Sequence, residues 1–177
     1  MIIYLYGRDI YRLRRKLNEI IEGYKKINKS ATNVKELDLK EKKYQDFKEI
    51  IASESLFNEK KLIIFKNVFF NKDFQADFLE RIEKFANSKD LLVFCEQEQD
   101  CKGAFFSAIK KYGKSQEFKL LSSSQLKIWL EKAFGSRGGK IEPDAVSALI
   151  SRVGNDLWRM ENEIIKLVNF KRNQVIT

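Results

Sequence analysis

Short β-prone runs alternate with stretches of helical periodicity along the first two thirds of the chain, and this order admits few folds. Ile2-Ile3-Tyr4-Leu5-Tyr6 is continuously apolar and ends at Gly7, as a strand buried on both faces does. Asp9 can then cap a helix whose apolar face is Ile10, Leu13, Leu17, Ile20, Ile21 and Tyr24. Val34 to Leu39 alternates like a short strand, and a helix from about Lys42 to Ser53 follows, with Tyr44, Phe47, Ile50 and Ile51 inward. Leu62-Ile63-Ile64-Phe65 is the next strand, and Phe74, Phe78, Ile82 and Phe85 recur at helical spacing. Leu91 to Cys95 is another apolar run, Ala104 to Tyr112 suits a short helix, and Gln116 to Leu120 a last strand. Such alternation predicts an α/β fold, a mainly parallel sheet with helices on both faces.

After Leu121 the pattern is helical only. Ser122-Ser123-Ser124 leads into a helix with Leu126, Trp129, Leu130 and Phe134, which Gly135 to Gly139 ends. Pro143 stands at the first turn of a second helix, stopped by Gly154. Asn155 or Asp156 caps a third, with Leu157, Met160, Ile164, Leu167 and Val168 inward. The expected division is an α/β domain over 1–121 and a three-helix domain over 122–177.

Histidine is absent from the 177 residues, which excludes Ser-His and Cys-His nucleophiles and the commonest zinc ligand. No metal site and no cofactor is expected. Cys95 and Cys101 have neither metal nor redox spacing, there is no signal peptide and no apolar run long enough to span a membrane, and the chain reads as cytoplasmic. The net charge of +9 fits either a nucleic-acid partner or solvated lysine faces; the one tight basic cluster is Arg12-Arg14-Arg15-Lys16.

Strand, glycine, helix at the N-terminus is where a P-loop would sit. That motif needs a second glycine, a lysine and a hydroxyl at fixed offsets. Counted from Gly7, those positions hold Arg12, Leu13 and Arg14. An ATPase also needs acidic residues at the end of a hydrophobic strand to hold Mg²⁺, and Leu62–Phe65 runs instead into Lys66-Asn67. No catalytic residues are expected. Weak phosphate or DNA contact by Arg12, Arg14 and Arg15 stays open, as does a solvated helix face. Glu96, Glu98 and Asp100 read as a solvated loop, and Trp129 and Trp158 as packing residues. Leu56 and Phe57, set between polar neighbours in Ser53 to Lys61, are either a corner of the core or side chains held out for a partner.

Several segments in order resemble the delta subunit of bacterial DNA polymerase III. They are Leu5-Tyr6-Gly7-x-Asp9-x-Tyr11, Ser55-Leu56-Phe57 followed by Leu62 to Asn67, Glu117 to Leu120, Ile141 to Ala145, and Gly154 to Leu157 with Glu163, Lys166 and Leu167. Arg8 stands where the family usually has an acidic residue. The resemblance implies an AAA+-like domain with a degenerate P-loop and no ATPase activity, followed by a helical lid. It implies a non-catalytic clamp-loader subunit that binds and opens the sliding clamp (beta subunit) in DNA replication. Ser55, Leu56 and Phe57 match the family's clamp-binding wedge, with Lys60 and Lys61 as rim charges. The other implied partners are the remaining loader subunits, met through a C-terminal collar domain that these 177 residues do not reach, and primed DNA, met through the assembled complex. The alternatives are a nucleic-acid-binding AAA+-like module and a P-loop NTPase.

Overall fold

A computed structural model describes residues 1–28, 33–40, 60–97, 102–171 and 175–177. They divide into two compact units, Met1–Lys119 and Leu120–Thr177. The expected helix over Lys42 to Ser53 lies outside the described residues.

The first unit is built on β1 (Ile2–Tyr6), β2 (Val34–Asp38), β3 (Leu62–Lys66), β4 (Leu91–Glu96) and β5 (Lys114–Glu117). They form one sheet in the order β2-β3-β4-β1-β5, and every pairing is parallel. The two-residue side-chain period divides the apolar residues between its faces. Ile2, Tyr4, Tyr6, Ile63, Phe65, Leu92 and Phe94 share one core; Leu5, Leu62, Ile64, Leu91, Val93 and Cys95 share the other.

Helix α1 (Ile10–Ile27) brings Leu13, Leu17 and Tyr24 to the second face. Helices α2 (Lys72–Glu80), α3 (Ile82–Ala86) and α4 (Ala104–Tyr112) cover the first with Phe74, Phe78, Phe85, Phe105 and Ile109. Phe65 stacks on Phe94 at 4.9 Å and Phe78 on Phe85 at 4.7 Å, while Phe78 meets Phe94 edge-on at 5.1 Å. Such ring pairs add about 0.5–1.5 kcal/mol each beyond their buried area.

Two local expectations change. The apolar series Phe74, Phe78, Ile82, Phe85 is interrupted at Arg81 (φ −113°, ψ 11°). Spacings of four, four and three keep these side chains on one face through the break, so the period does not reveal it. The last strand is Lys114–Glu117, beginning two residues and ending three residues earlier than expected, and all four of its side chains are exposed. It lies at the sheet edge against β1 alone, so its side chains carry no apolar mark. Phe118, just beyond it, is the buried residue.

The second unit packs α5 (Ser123–Gly135), α6 (Pro143–Val153) and α7 (Leu157–Lys171) around Leu130, Phe134, Val146, Met160 and Ile164. A reciprocal capping box between Ser122 and Gln125 opens α5, Gly154 (φ 69°) ends α6, and Asp156 Oδ1 accepts the Arg159 N–H at 3.0 Å to start α7. A short parallel pair, β6 (Lys140–Ile141) and β7 (Val175–Ile176), which helical periodicity could not announce, completes the unit. Trp129 packs partly buried on this core, whereas Trp158, read from the sequence as a packing residue, is 51% exposed.

Candidate functional site

Open α/β sheets receive ligands outside the carboxyl ends of their strands, where successive connections leave for opposite faces. Here that point lies between β1 and β4, since α1 and α4 cover different faces. Gly7, Arg8 and Asp9 of the β1–α1 turn and Glu96 at the end of β4 surround it, with Tyr6 opposite Glu96 in the register.

The turn is occupied by the chain itself. The Phe118 N–H donates to the Tyr6 carbonyl at 2.7 Å, and the Asp9 N–H donates to the Phe118 carbonyl at 2.9 Å. Gly7 has φ 130°, and a Cβ placed on it would lie 2.4 Å from Phe118 O. The glycine is required because the backbone of residue 118 passes directly against it. The Gly7 N–H donates to the Glu96 carbonyl at 3.1 Å and the Ile10 N–H to the Arg8 carbonyl at 3.0 Å. A phosphate-binding turn offers such N–H groups to its ligand; here they are already used.

Asp9 supplies a carboxylate at the same place. It is 4% exposed, and its Oδ1 accepts the Arg12 N–H at 2.9 Å, capping α1. The Arg12 guanidinium donates through Nε to Asp9 Oδ2 at 2.6 Å and through Nη2 to the Lys119 carbonyl. Of the residues at the P-loop offsets, Arg12 is thus turned inward, Leu13 is buried in the second core, and Arg14 is exposed. Arg15 is exposed beside it, and Lys16 pairs with Glu19 at 3.1 Å. The basic cluster is therefore split, with Arg12 engaged and Arg14 and Arg15 facing solvent.

The end of β3 is equally engaged. Lys66 pairs with Glu36. Asn67, in the left-handed conformation at φ 56°, donates through Nδ2 to both Asp38 oxygens at 2.8 and 2.9 Å. Glu96 corrects its expected place in a solvated loop: it is 2% exposed. Its Oε1 accepts the Val68 N–H at 2.6 Å, and Gln75 Nε2 donates to the Val68 carbonyl at 3.0 Å. A buried carboxylate so bonded fixes a turn. Glu98 and Asp100 lie outside the described residues, as do Ser55, Leu56 and Phe57. Among the described residues no group of three metal-ligating side chains comes together. Sequence reasoning missed Phe118, Lys119 and Glu96 here; the one signal was a glycine with no phosphate motif around it.

Comparison with known proteins places this geometry. The family model described as DNA polymerase III, delta subunit, matches residues 4–123. The Bacillus subtilis DNA clamp loader delta protein is similar in structure with a TM-score of 0.67 at 21% identity, over 99% of this chain and 55% of that one. The Thermotoga maritima RuvB Holliday junction branch migration motor follows at 0.62 and 15%, over 99% and 57%. Domain III of the Thermotoga maritima replication initiation protein DnaA gives 0.55 and 16%, over 97% and 76%. The five-stranded parallel sheet thus resembles AAA+ domains, and the chain spans little more than half the length of the clamp-loader protein. Comparison with curated proteins gives no match. With the family model covering well over half of its length, the chain belongs to the DNA polymerase III delta-subunit family.

Proposed function

We propose that this chain is the clamp-opening part of a DNA polymerase III clamp loader, acting by binding the sliding clamp and not by catalysis. The observation that carries the reading is the family match, which runs through residues 55–57 and the strand that follows them. On this reading Ser55, Leu56 and Phe57 are the clamp-binding wedge, residues 1–121 the AAA+-like clamp-binding domain, and 122–177 the helical lid. Other loader subunits are met through a collar domain beyond these residues, and primed DNA through the assembled complex.

Gly7, Arg12, Leu13 and Arg14 are read as a P-loop that has lost its chemistry. In support, Phe118 O stands against Gly7, and Arg12 is engaged by the buried Asp9 carboxylate and the Lys119 carbonyl, where a P-loop would keep its cation for the phosphate. Among the described residues no helix is long and apolar enough to cross a membrane; the cytoplasmic location is read from the replication family alone.

Burying a Leu and a Phe side chain in a partner pocket is worth about 1.5–3 kcal/mol each, so the pair supplies about 3–6 kcal/mol. Leu56→Ala with Phe57→Ala should weaken binding to the cognate clamp at least about 100-fold, with the circular dichroism spectrum unchanged. Calorimetry on the purified pair decides it: unchanged affinity in the double variant would remove the wedge assignment.

A further inference from the structure

The second unit carries a groove of about 420 Å³ along α6 and α7. On α6 it is lined by Ala145, Ala148, Leu149, Arg152 and Val153, the spacing of one helix face over two turns. The short side chains of Ala145 and Ala148 leave the space open. On α7, Arg159, Glu163 and Leu167 line it at every fourth residue. Ile141 and Ile176, register partners across β6 and β7, bound it further.

The groove has a charged end and an apolar end. Only Gly154, Asn155 and Asp156 join the two helices, so the chain turns back and brings Arg152 and Arg159 to the same end. About two helical turns along each helix, or about 11 Å, stand Ala145 and Leu167. Both arginines are exposed, and among the described residues neither guanidinium has a hydrogen-bond or ion-pair partner. The unit's carboxylates are spent elsewhere or lie outside the lining. Glu163 pairs with Lys166 at 2.6 Å, Glu161 pairs with Arg137, and Asp156 Oδ1 accepts the Arg159 N–H at 3.0 Å. Glu131, Glu142 and Asp144 do not line the groove. Arg172, Asn173 and Gln174, the residues of this unit outside the description, include no acid.

Two guanidinium groups at one end of a groove bind carboxylates or phosphates. The rest of the lining decides between them. It holds no aromatic ring on which a base could stack, and its apolar end offers nothing to a sugar-phosphate backbone. A carboxylate followed within two turns by apolar side chains satisfies both ends. We propose that this groove is a docking site for a partner protein's amphipathic segment of about two helical turns, with carboxylates on Arg152 and Arg159 and apolar side chains beside Leu149 and Leu167. The site lies wholly within the second unit and does not depend on Leu56 or Phe57.

The test uses a phage library of random 12-residue peptides, depleted on the Arg152→Glu/Arg159→Glu variant and then selected on the wild-type 177-residue chain. Surviving peptides should share a carboxylate close to two or more apolar residues. As fluorescein-labelled synthetic peptides in fluorescence anisotropy, they should bind the charge-reversed variant about 10- to 100-fold more weakly than wild type. The Arg152→Gln/Arg159→Gln pair should fall between the two. Ala148→Gln, which fills an exposed position of the groove, should also weaken binding, and circular dichroism should show every variant folded. No peptide surviving depletion, survivors without acidic residues, or unchanged affinity in Ala148→Gln would overturn the proposal. So would a duplex DNA affinity that the arginine substitutions reduce while peptide binding stays unchanged, or a dimer in sedimentation velocity that they abolish, since the groove would then serve nucleic acid or a second copy of this chain.

Discussion

Replacing Gly7 by alanine tests the claim that the strand–helix turn is filled by the chain's own backbone. The new Cβ would sit 2.4 Å from Phe118 O and 2.8 Å from its carbonyl carbon and nitrogen, where ordinary contact begins at 3.4 Å. Residue 118 must therefore retreat by about 1 Å (3.4 less 2.4). That movement breaks the 2.7 Å bond from the Phe118 N–H to Tyr6 O and the 2.9 Å bond from the Asp9 N–H to Phe118 O. Two such bonds are worth about 1–3 kcal/mol net. A non-glycine residue at φ 130° adds about 1–3 kcal/mol of strain. The expected loss is about 2–6 kcal/mol, a large part of a domain's total stability. Gly23→Ala is the control. It lies inside α1 with nothing within 4 Å of the added Cβ, so it should raise stability by about 0.4–1 kcal/mol. Urea unfolding followed by far-UV circular dichroism measures both. Both tryptophans lie in Leu120–Thr177, so their fluorescence reports that unit separately. A Gly7→Ala protein within 1 kcal/mol of wild type, or the same sign for both substitutions, would refute the close approach of Phe118.

ATP should yield no phosphate release above background, and Arg12→Ala or Arg14→Ala should leave that background unchanged; turnover that either substitution abolishes would overturn the reading of Gly7 to Arg14. Cys95 is buried, and burial, its largest influence, pushes its thiol up from 9.0 to about 12. In a Cys101→Ser background it should therefore resist iodoacetamide at about pH 8 until the protein is denatured, and rapid native labelling would contradict its burial. The folded thiol keeps its proton where the unfolded thiol has lost it. Its contribution to stability is thus complete below about pH 9 and lost as pH rises toward 12, a decline that a Cys95→Ala variant should lack.

Much of the first unit was legible because parallel strands buried on both faces are written as apolar runs, as in Ile2–Tyr6, Leu62–Phe65 and Leu91–Cys95. The edge strand Lys114-Ser115-Gln116-Glu117 has no such mark, and the apolar Phe118 drew the expected strand too far along. The absence of a P-loop motif was legible as well, since Arg12, Leu13 and Arg14 are side chains at positions with fixed requirements. What fills the turn was not. The carbonyls of Phe118 and Lys119 meet the turn from more than a hundred residues away, and a carbonyl has no residue type to read. Glu96 misled for a related reason: a carboxylate at a strand end reads as solvated until its donor, here the Val68 N–H, is known. Leu56 and Phe57 acquired a role only through the family resemblance.

A parallel sheet has two chemically different edges, and at one of them this chain places its own backbone where a P-loop protein holds its nucleotide. At the carboxyl edge, Asp9 and Arg12 bind each other, Arg12 reaches the Lys119 carbonyl, and Phe118 seals the turn. In an ATPase this edge would change with its ligand; here the groups that fill it belong to the chain itself. The exit of the chain from the first unit is consequently pinned without any ligand. On the proposed reading, such a domain has no local means of sensing ATP, and control over clamp binding has to be imposed from outside, by partner subunits. Conditions that alter clamp binding by the isolated chain should accordingly be those that screen its lysines, such as salt, and not the presence of nucleotide.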